Sequence, residues 1–141
     1  VLHNIVAELS FKEQINMRTE PGCEHILVKL PLSTFRRAFV SILKNAHDAS
    51  SRQTPIEVYL RQEDCFAIIE ISDQGEGIEQ DKLSKVTEPF YSTKEAGKGM
   101  GLGLFLTQTV LQSLNGTLEI QSTLGKGTTV TMQIPQLATY G

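Results

Sequence analysis

Two pairs of alternating apolar runs, each joined by a few polar or glycine residues, confine this chain to folds that contain antiparallel ribbons. Ile56 to Arg61 and Cys65 to Asp73 flank Gln62-Glu63-Asp64, and Leu118 and Ile120 face Val130, Met132 and Ile134 across Leu124 to Gly127. Alternation with a period of two marks half-buried strands, and a short polar link between two such runs reads as a hairpin. Helical patterns are interleaved with them. Apolar residues recur at Phe35, Ala38, Phe39, Ile42, Leu43 and Ala46, and again at Leu102, Phe105, Leu106, Val110 and Leu114, the spacing of one helix face. Ser33 is the expected N-cap of the first helix, with Pro31 stopping its backward extension. Asn115-Gly116 ends the second in the manner of a left-handed C-cap. Hairpins exclude a purely parallel βαβ sheet, so the expected fold class is α+β: a two-layer sandwich with a mixed sheet and helices on one face.

The remaining segments are shorter. Val1 to Leu9 reads as a short helix or a helix end, and Phe11 to Glu20 and His25 to Leu30 as strands about the Pro21-Gly22 turn. A helical stretch is expected at Asp81 to Val86. Thr87 to Gly101 then forms an irregular segment of a length typical of lids and binding loops. Residues 136–141 read as a loose tail.

Composition removes several function classes. A chain of 141 residues holds one compact domain. Its formal charge of −3 provides no basic face for phosphate neutralisation, so a nucleic-acid partner is not expected. The longest apolar run, Cys65 to Ile69, is too short for a membrane span or an export signal. Cys23 and Cys65 stand far apart with no CxxC and no histidine at finger spacing, which gives a disulfide framework or zinc site no support. Two thiols in a reducing compartment are expected instead.

Nine of the 11 glycines lie between Gly75 and Gly127, four of them alternating at Gly97, Gly99, Gly101 and Gly103. Adjacent main-chain N–H groups without Cβ atoms form concave anion sites, although turns and a loop would also use glycine. Gly97 to Leu104 runs into a helix N-terminus, where N–H groups and the dipole favour phosphate. Neither a preceding strand nor a Walker motif accompanies it, so dinucleotide-fold and P-loop readings fail on context. Asp73 closes a strand and opens Asp73-Gln-Gly-Glu-Gly-Ile78. This is either an Asp-Gly turn or a carboxylate placed to accept from an exocyclic amine such as that of adenine. Asn45 lies about 90° from the centre of its helix's apolar stripe. There its amide can bond nearby backbone or offer its oxygen to Mg²⁺ beside a polyphosphate.

In order, Asn45-Ala46 with Asp48-Ala49, Asp73 to Gly77, Pro89 to Lys94, Gly97 to Gly103 and Gly125 to Thr128 resemble the N, G1, F, G2 and G3 boxes. The chain is thereby similar to the ATP-binding catalytic domain of bacterial sensor histidine kinases, in the superfamily of gyrase, Hsp90 and MutL. The pairing of the N box with Pro89 to Lys94 and Gly99 to Leu106 is similar to kinases of the RegB/PrrB and NtrB type. The resemblance implies a Bergerat fold, a mixed, mostly antiparallel sheet under three helices, with ATP and Mg²⁺ as ligands. Asn45 would bind Mg²⁺, with Asp48 and Ala49 beside it. Asp73 would take the adenine amine, Gly75, Gly77 and Ile78 would lie along the base, and Thr128 would support the adenine end. A lid at about 87–101 would contribute Phe90, Thr93, Lys94, Lys98, Gly99, Met100 and Gly101, and Leu102, Gly103 and Leu104 would complete the phosphate contacts. Residues 1–10 would end a helical linker from an absent dimerisation domain, and 11–135 would be the catalytic domain.

Departures from the family pattern bear on mechanism. Ser41 replaces a second asparagine, Asp48 a basic residue, and Arg37 the glutamate base of the ATP-hydrolysing relatives. Transfer is therefore expected over hydrolysis, to a histidine on a dimerisation domain that this chain lacks. His3, His25 and His47 do not fit the acceptor motif, so no catalytic residue is expected in this fragment. A response regulator, a homodimeric full-length kinase, a monomeric fragment and a cytoplasmic location with an inner-membrane anchor elsewhere follow as further expectations. Two other uses of the fold stay open at this point, an anti-sigma-type serine kinase and a non-catalytic docking module.

Overall fold

The computed structural model describes residues 2–22, 28, 31–50, 54–78 and 103–136. The hairpin patterns give β2 (Ile56–Glu63) with β3 (Phe66–Ser72), and β4 (Thr117–Thr123) with β5 (Gly127–Pro135), both antiparallel. β3 and β5 also pair antiparallel, while β1 (Ile15–Thr19) adds parallel to β2, giving one five-stranded sheet in the order β1-β2-β3-β5-β4 among the described residues. The first hairpin turns one step later than its polar residues imply: β2 runs on through Glu63, and Asp64, in the left-handed region at φ 55°, begins the turn. Arg61 donates to Glu63 and Glu70 on either side of this turn, which favours the longer ladder. The His25–Leu30 strand and the Asp81–Val86 helix expected from sequence fall outside the described residues.

Among the described residues the helices are α1 (Leu2–Ala7), α2 (Leu32–Ala49) and α3 (Gly103–Ser113), with a 3₁₀ turn at Lys12–Gln14. The Ser33 cap is corrected by the structure. α2 starts at Leu32 with Pro31 in the cap position, no side chain caps it, and the Pro31 carbonyl accepts the Phe35 N–H at 2.9 Å. Proline has the φ that a helix entry needs and has no N–H to strand, so the start moves back to it. α3 ends as its sequence indicates, with Asn115 left-handed at φ 62° and the Gly116 N–H donating to the Leu111 carbonyl at 2.7 Å.

One face of the sheet packs against the helices, and the other is mostly polar apart from the buried Ile68. Ile56, Val58, Ile69, Ile71, Val130, Met132 and Ile134 point into the layer occupied by Phe35, Phe39, Ile42 and Leu43 of α2 and by Leu104 and Leu111 of α3. Ile5 and Val6 of α1 are buried in the same core. The opposite face carries Arg18 over the Tyr59 ring and the Arg61–Glu70 pair. No helix among the described residues is long and apolar enough to cross a membrane.

Candidate functional site

Strand alternation decides where the chemistry lies. Ile69 and Ile71 face the helices, and Asp73, two residues beyond, keeps that parity as β3 ends. The β3–β5 register pairs Ser72 with Thr129, so Asp73 falls opposite Thr128, and the Asp73 N–H donates to the Thr128 carbonyl at 2.9 Å. On the next strand Ser122 pairs with Thr128. Asp73, Thr128 and Ser122 thus form one polar row immediately beyond the apolar rows of the core.

Asp73 is a half-buried carboxylate held by main chain. Its Oδ1 accepts the Gly75 N–H at 2.9 Å, and the Thr128 backbone supplies a second bond. Burial raises its pKa above the ordinary 3.8, and these two bonds offset the rise only in part. The group is therefore a desolvated acceptor with unmet capacity, which suits a ligand that brings an N–H donor.

Glycines fasten this row to α2. A Cβ on Gly75 would overlap the carbonyl of Ala49 in the last turn of α2, and one on Gly77, at φ 74°, would overlap that of Thr123. The sequence reading gave both glycines to the base; here they serve first to let the loop lie directly on the helix end and on the β4–β5 hairpin. Gly127, at φ 130°, is held as closely against the Asp73 carbonyl. The Gly125 N–H donates to the Glu76 carbonyl at 2.7 Å, and the Ile78 N–H to Ser122 Oγ at 2.8 Å. Asp73 and the C-terminal turn of α2 are thereby brought to one end of the sandwich.

That turn carries Asn45, half-buried, and Asp48, exposed. The Asn45 amide has no protein partner among the described residues, so its oxygen remains available to a ligand. His47, on the same turn, is occupied structurally: its ring stacks on Phe11 at 4.3 Å and its Nδ1 lies 2.7 Å from Gln14 Oε1. No cluster of three or more His, Cys, Asp or Glu side chains that could hold a metal ion occurs among the described residues. A cation here would need Asn45, water and the phosphates of a substrate. Leu104 is buried in the core, so any contact from it to a ligand runs through its backbone at the start of α3, next to Gly103. Phe90, Thr93, Lys94, Lys98, Gly99, Met100, Gly101 and Leu102 lie outside the described residues. Sequence reasoning missed Ser122, whose only signal was a polar residue on the apolar parity of β4.

Against known proteins, residues 30–138 match the family described as histidine kinase-, DNA gyrase B- and HSP90-like ATPase. The chain belongs to that family. Sporulation kinase C of Bacillus subtilis (strain 168) is 33% identical over 135 residues, covering 96% of this chain and 29% of the relative. Sensor kinase CckA of Brucella abortus (strain 2308) is 32% identical over 151 residues, covering 96% and 16%. The chain thus spans less than a third of either relative's length. Among solved structures, the nucleotide-free catalytic domain of histidine kinase ThkA aligns with a TM-score of 0.78 at 19% identity, covering 96% of this chain and 92% of that one. Full-length ShkA in complex with AMPPNP gives 0.80 at 17% identity, covering 99% and 30%. At these identities the structures show a shared fold, the α+β sandwich expected from sequence. The family match, together with the kinase relatives, makes this a histidine kinase-like ATP-binding domain.

Proposed function

We propose that the domain binds ATP with Mg²⁺ and presents the γ-phosphoryl group to a histidine on a helical dimerisation domain, in a homodimeric cytoplasmic kinase that passes the group to a response regulator. The observation that carries this reading is Asp73: a partly desolvated carboxylate, held by backbone alone, fixed by Gly75 to the helix turn that bears Asn45. Asp73 accepts the adenine amine, Thr128 lies beside it, and Gly75, Gly77 and Ile78 set the floor on which the base lies. Asn45 contributes one oxygen toward Mg²⁺, with Asp48 near enough in sequence to hold a metal-bound water. The cation, when bound, neutralises phosphate charge as the β–γ bridge breaks. Lys94, Lys98 and the backbone from Gly99 to Gly103 are assigned to the phosphates.

The residues favour transfer over hydrolysis. Arg37 is an exposed cation in the position where the hydrolysing relatives carry a carboxylate, and a guanidinium cannot take a proton from water. In the transfer, the P–O bond to ADP breaks as a P–N bond to the imidazole forms, and the ring proton leaves to solvent. The test is a nucleotide titration with and without Mg²⁺, followed by incubation with a separately supplied histidine-bearing helical hairpin. Tight binding only with Mg²⁺ and acid-labile label on the hairpin are expected. Steady multiple-turnover phosphate release by the chain alone, or acid-stable label, would overturn the reading.

A further inference from the structure

We infer that His47 is a positioning residue that braces the last turn of α2 against the end of the sheet, and thereby sets the span between the Asn45 oxygen and the Asp73 carboxylate. The inference rests on the reading of Asp73 as the base site and Asn45 as the cation ligand, and adds a residue on which their joint use depends.

The last turn of α2 has little of its own to hold it. Its backbone is already extended at Ser50, at φ −103° and ψ 149°, whereas α3 is closed by the left-handed Asn115. The Ser50 N–H is shared between the Ala46 and His47 carbonyls at 3.1 and 3.3 Å, and the last carbonyls of any helix lack intrahelical donors. Order in this turn therefore comes from what packs on it, and two contacts grip it from opposite sides. At about 100° per residue, Asn45 and Ala49 lie about 40° apart around the helix axis, with His47 about 160° from either. On the Asn45 side, Gly75 lies directly against the Ala49 carbonyl. On the other side the half-buried His47 stacks on Phe11, with ring centroids 4.3 Å and planes 10° apart, and its Nδ1 lies 2.7 Å from Gln14 Oε1.

The direction of the His47 bond follows from its acceptors. Gln14 Nε2 donates to the Thr54 carbonyl at 2.9 Å, where an amide oxygen would only meet another oxygen, so Oε1 faces His47. That oxygen accepts, and Nδ1 is the donor. The anchor sits at the end of the sheet that carries the site: Gln14 precedes Ile15, which pairs with Ile56, and Glu57 pairs with Ser72, the residue before Asp73. The turn is thus tied to the Asp73 end of the sheet twice, by Gly75 and through Gln14. Without the brace it samples positions in which the Asn45 oxygen misses a cation on the phosphates, while Asp73 and Thr128 still hold the base. Apparent affinity for ATP with Mg²⁺ then falls with the fraction of molecules whose turn is in place. Adenosine, which has no phosphates, is held as before.

The test measures, for the 141-residue chain and its variants, the ratio of the ATP dissociation constants without and with Mg²⁺, and uses adenosine as a probe of the base site alone. His47→Ala is expected to lower the ratio about fivefold, the range of one net hydrogen bond, and to leave adenosine binding within about twofold of wild type. His47→Asn retains an N–H donor and is expected to recover part of the loss. Gln14→Ala is expected to lower the ratio as His47→Ala does, and serves where His47→Ala melts too low to titrate. The double variant is expected to lie within about twofold of either single one, because both remove the same link. A wild-type ratio in folded His47→Ala or Gln14→Ala protein overturns the proposal. So does an equal loss for adenosine, the signature of a cleft disturbed as a whole, and so do additive losses in the double variant. A ratio near one in the wild-type chain would instead remove the cation reading, and the inference with it, so the two failures are distinguishable.

Discussion

Asp73 shows at the scale of one residue how a binding group is maintained against the stability of its own fold. Its pKa is raised, chiefly by burial. Such a group adds most to folding stability below its unfolded value, and that contribution is lost as pH rises through the folded value. At neutral pH the domain therefore carries an ionised carboxylate that it solvates poorly, and a ligand N–H relieves it. Asp73→Asn keeps an oxygen for the Gly75 N–H and removes the charge. Relative to wild type, the variant is expected to gain stability between pH 3.5 and pH 7, measured by chemical denaturation, while its ATP affinity falls about tenfold or more with the loss of a charge-assisted bond. An equal stability difference at both pH values would sink this account. The acid was legible in the sequence because it closes a strand before glycines. Its energetic state was not, since that depends on Thr128, 55 residues away, closing over it.

At the scale of elements, the close approaches of the glycine loops hold the site together, and they grade the cost of adding a methyl group. Gly127 and Gly125 both have positive φ, at 130° and 83°, but a Cβ at Gly127 meets the Asp73 carbonyl whereas one at Gly125 meets nothing within 4 Å. Gly125→Ala is expected to cost about 1–2 kcal/mol of backbone strain alone. Gly127→Ala adds overpacking of about 1–3 kcal/mol and pushes the strand end that bears Asp73, so it also weakens ATP binding. Denaturant midpoints and a nucleotide titration check the order, and equal costs at the two sites would refute it. Both hairpins, both long helices and the α3 cap could be read from period and turn chemistry. The parallel partnership of β1 with β2 could not, because strand alternation fixes which side chains face the core and says nothing of which strand lies alongside. Ser122 stayed hidden for a related reason: on parity it belonged with Leu118 and Ile120, and only the register with Thr128 and Gly127 gives its hydroxyl partners.

For the molecule as a whole, the core and the site share the same two layers, so stability and ligand binding are linked through one folding equilibrium. Phe39 has no exposed surface and stacks on Phe35 at 5.9 Å within α2, the helix that presents Asn45 less than two turns later. Phe39→Ala opens a cavity expected to cost about 3–5 kcal/mol, a large share of the 5–15 kcal/mol typical of a domain this size. The exposed Arg36–Glu8 pair joining α1 to α2 is expected to matter far less, with Arg36→Ala within about 0.5 kcal/mol of wild type. Ligand binding should restore part of what Phe39→Ala removes, because the nucleotide binds the folded state and not the unfolded one. At a hundredfold excess of free ATP over its dissociation constant the recovery is about 2.7 kcal/mol. Thermal melts of Phe39→Ala with and without Mg²⁺ and ATP are thus expected to separate by several degrees, while Asp73→Asn at the same nucleotide concentration shows a much smaller shift. A ligand-induced shift in Asp73→Asn as large as that in Phe39→Ala would mean that the nucleotide is held without the carboxylate, and that the polar row beyond the core is not where the base lies.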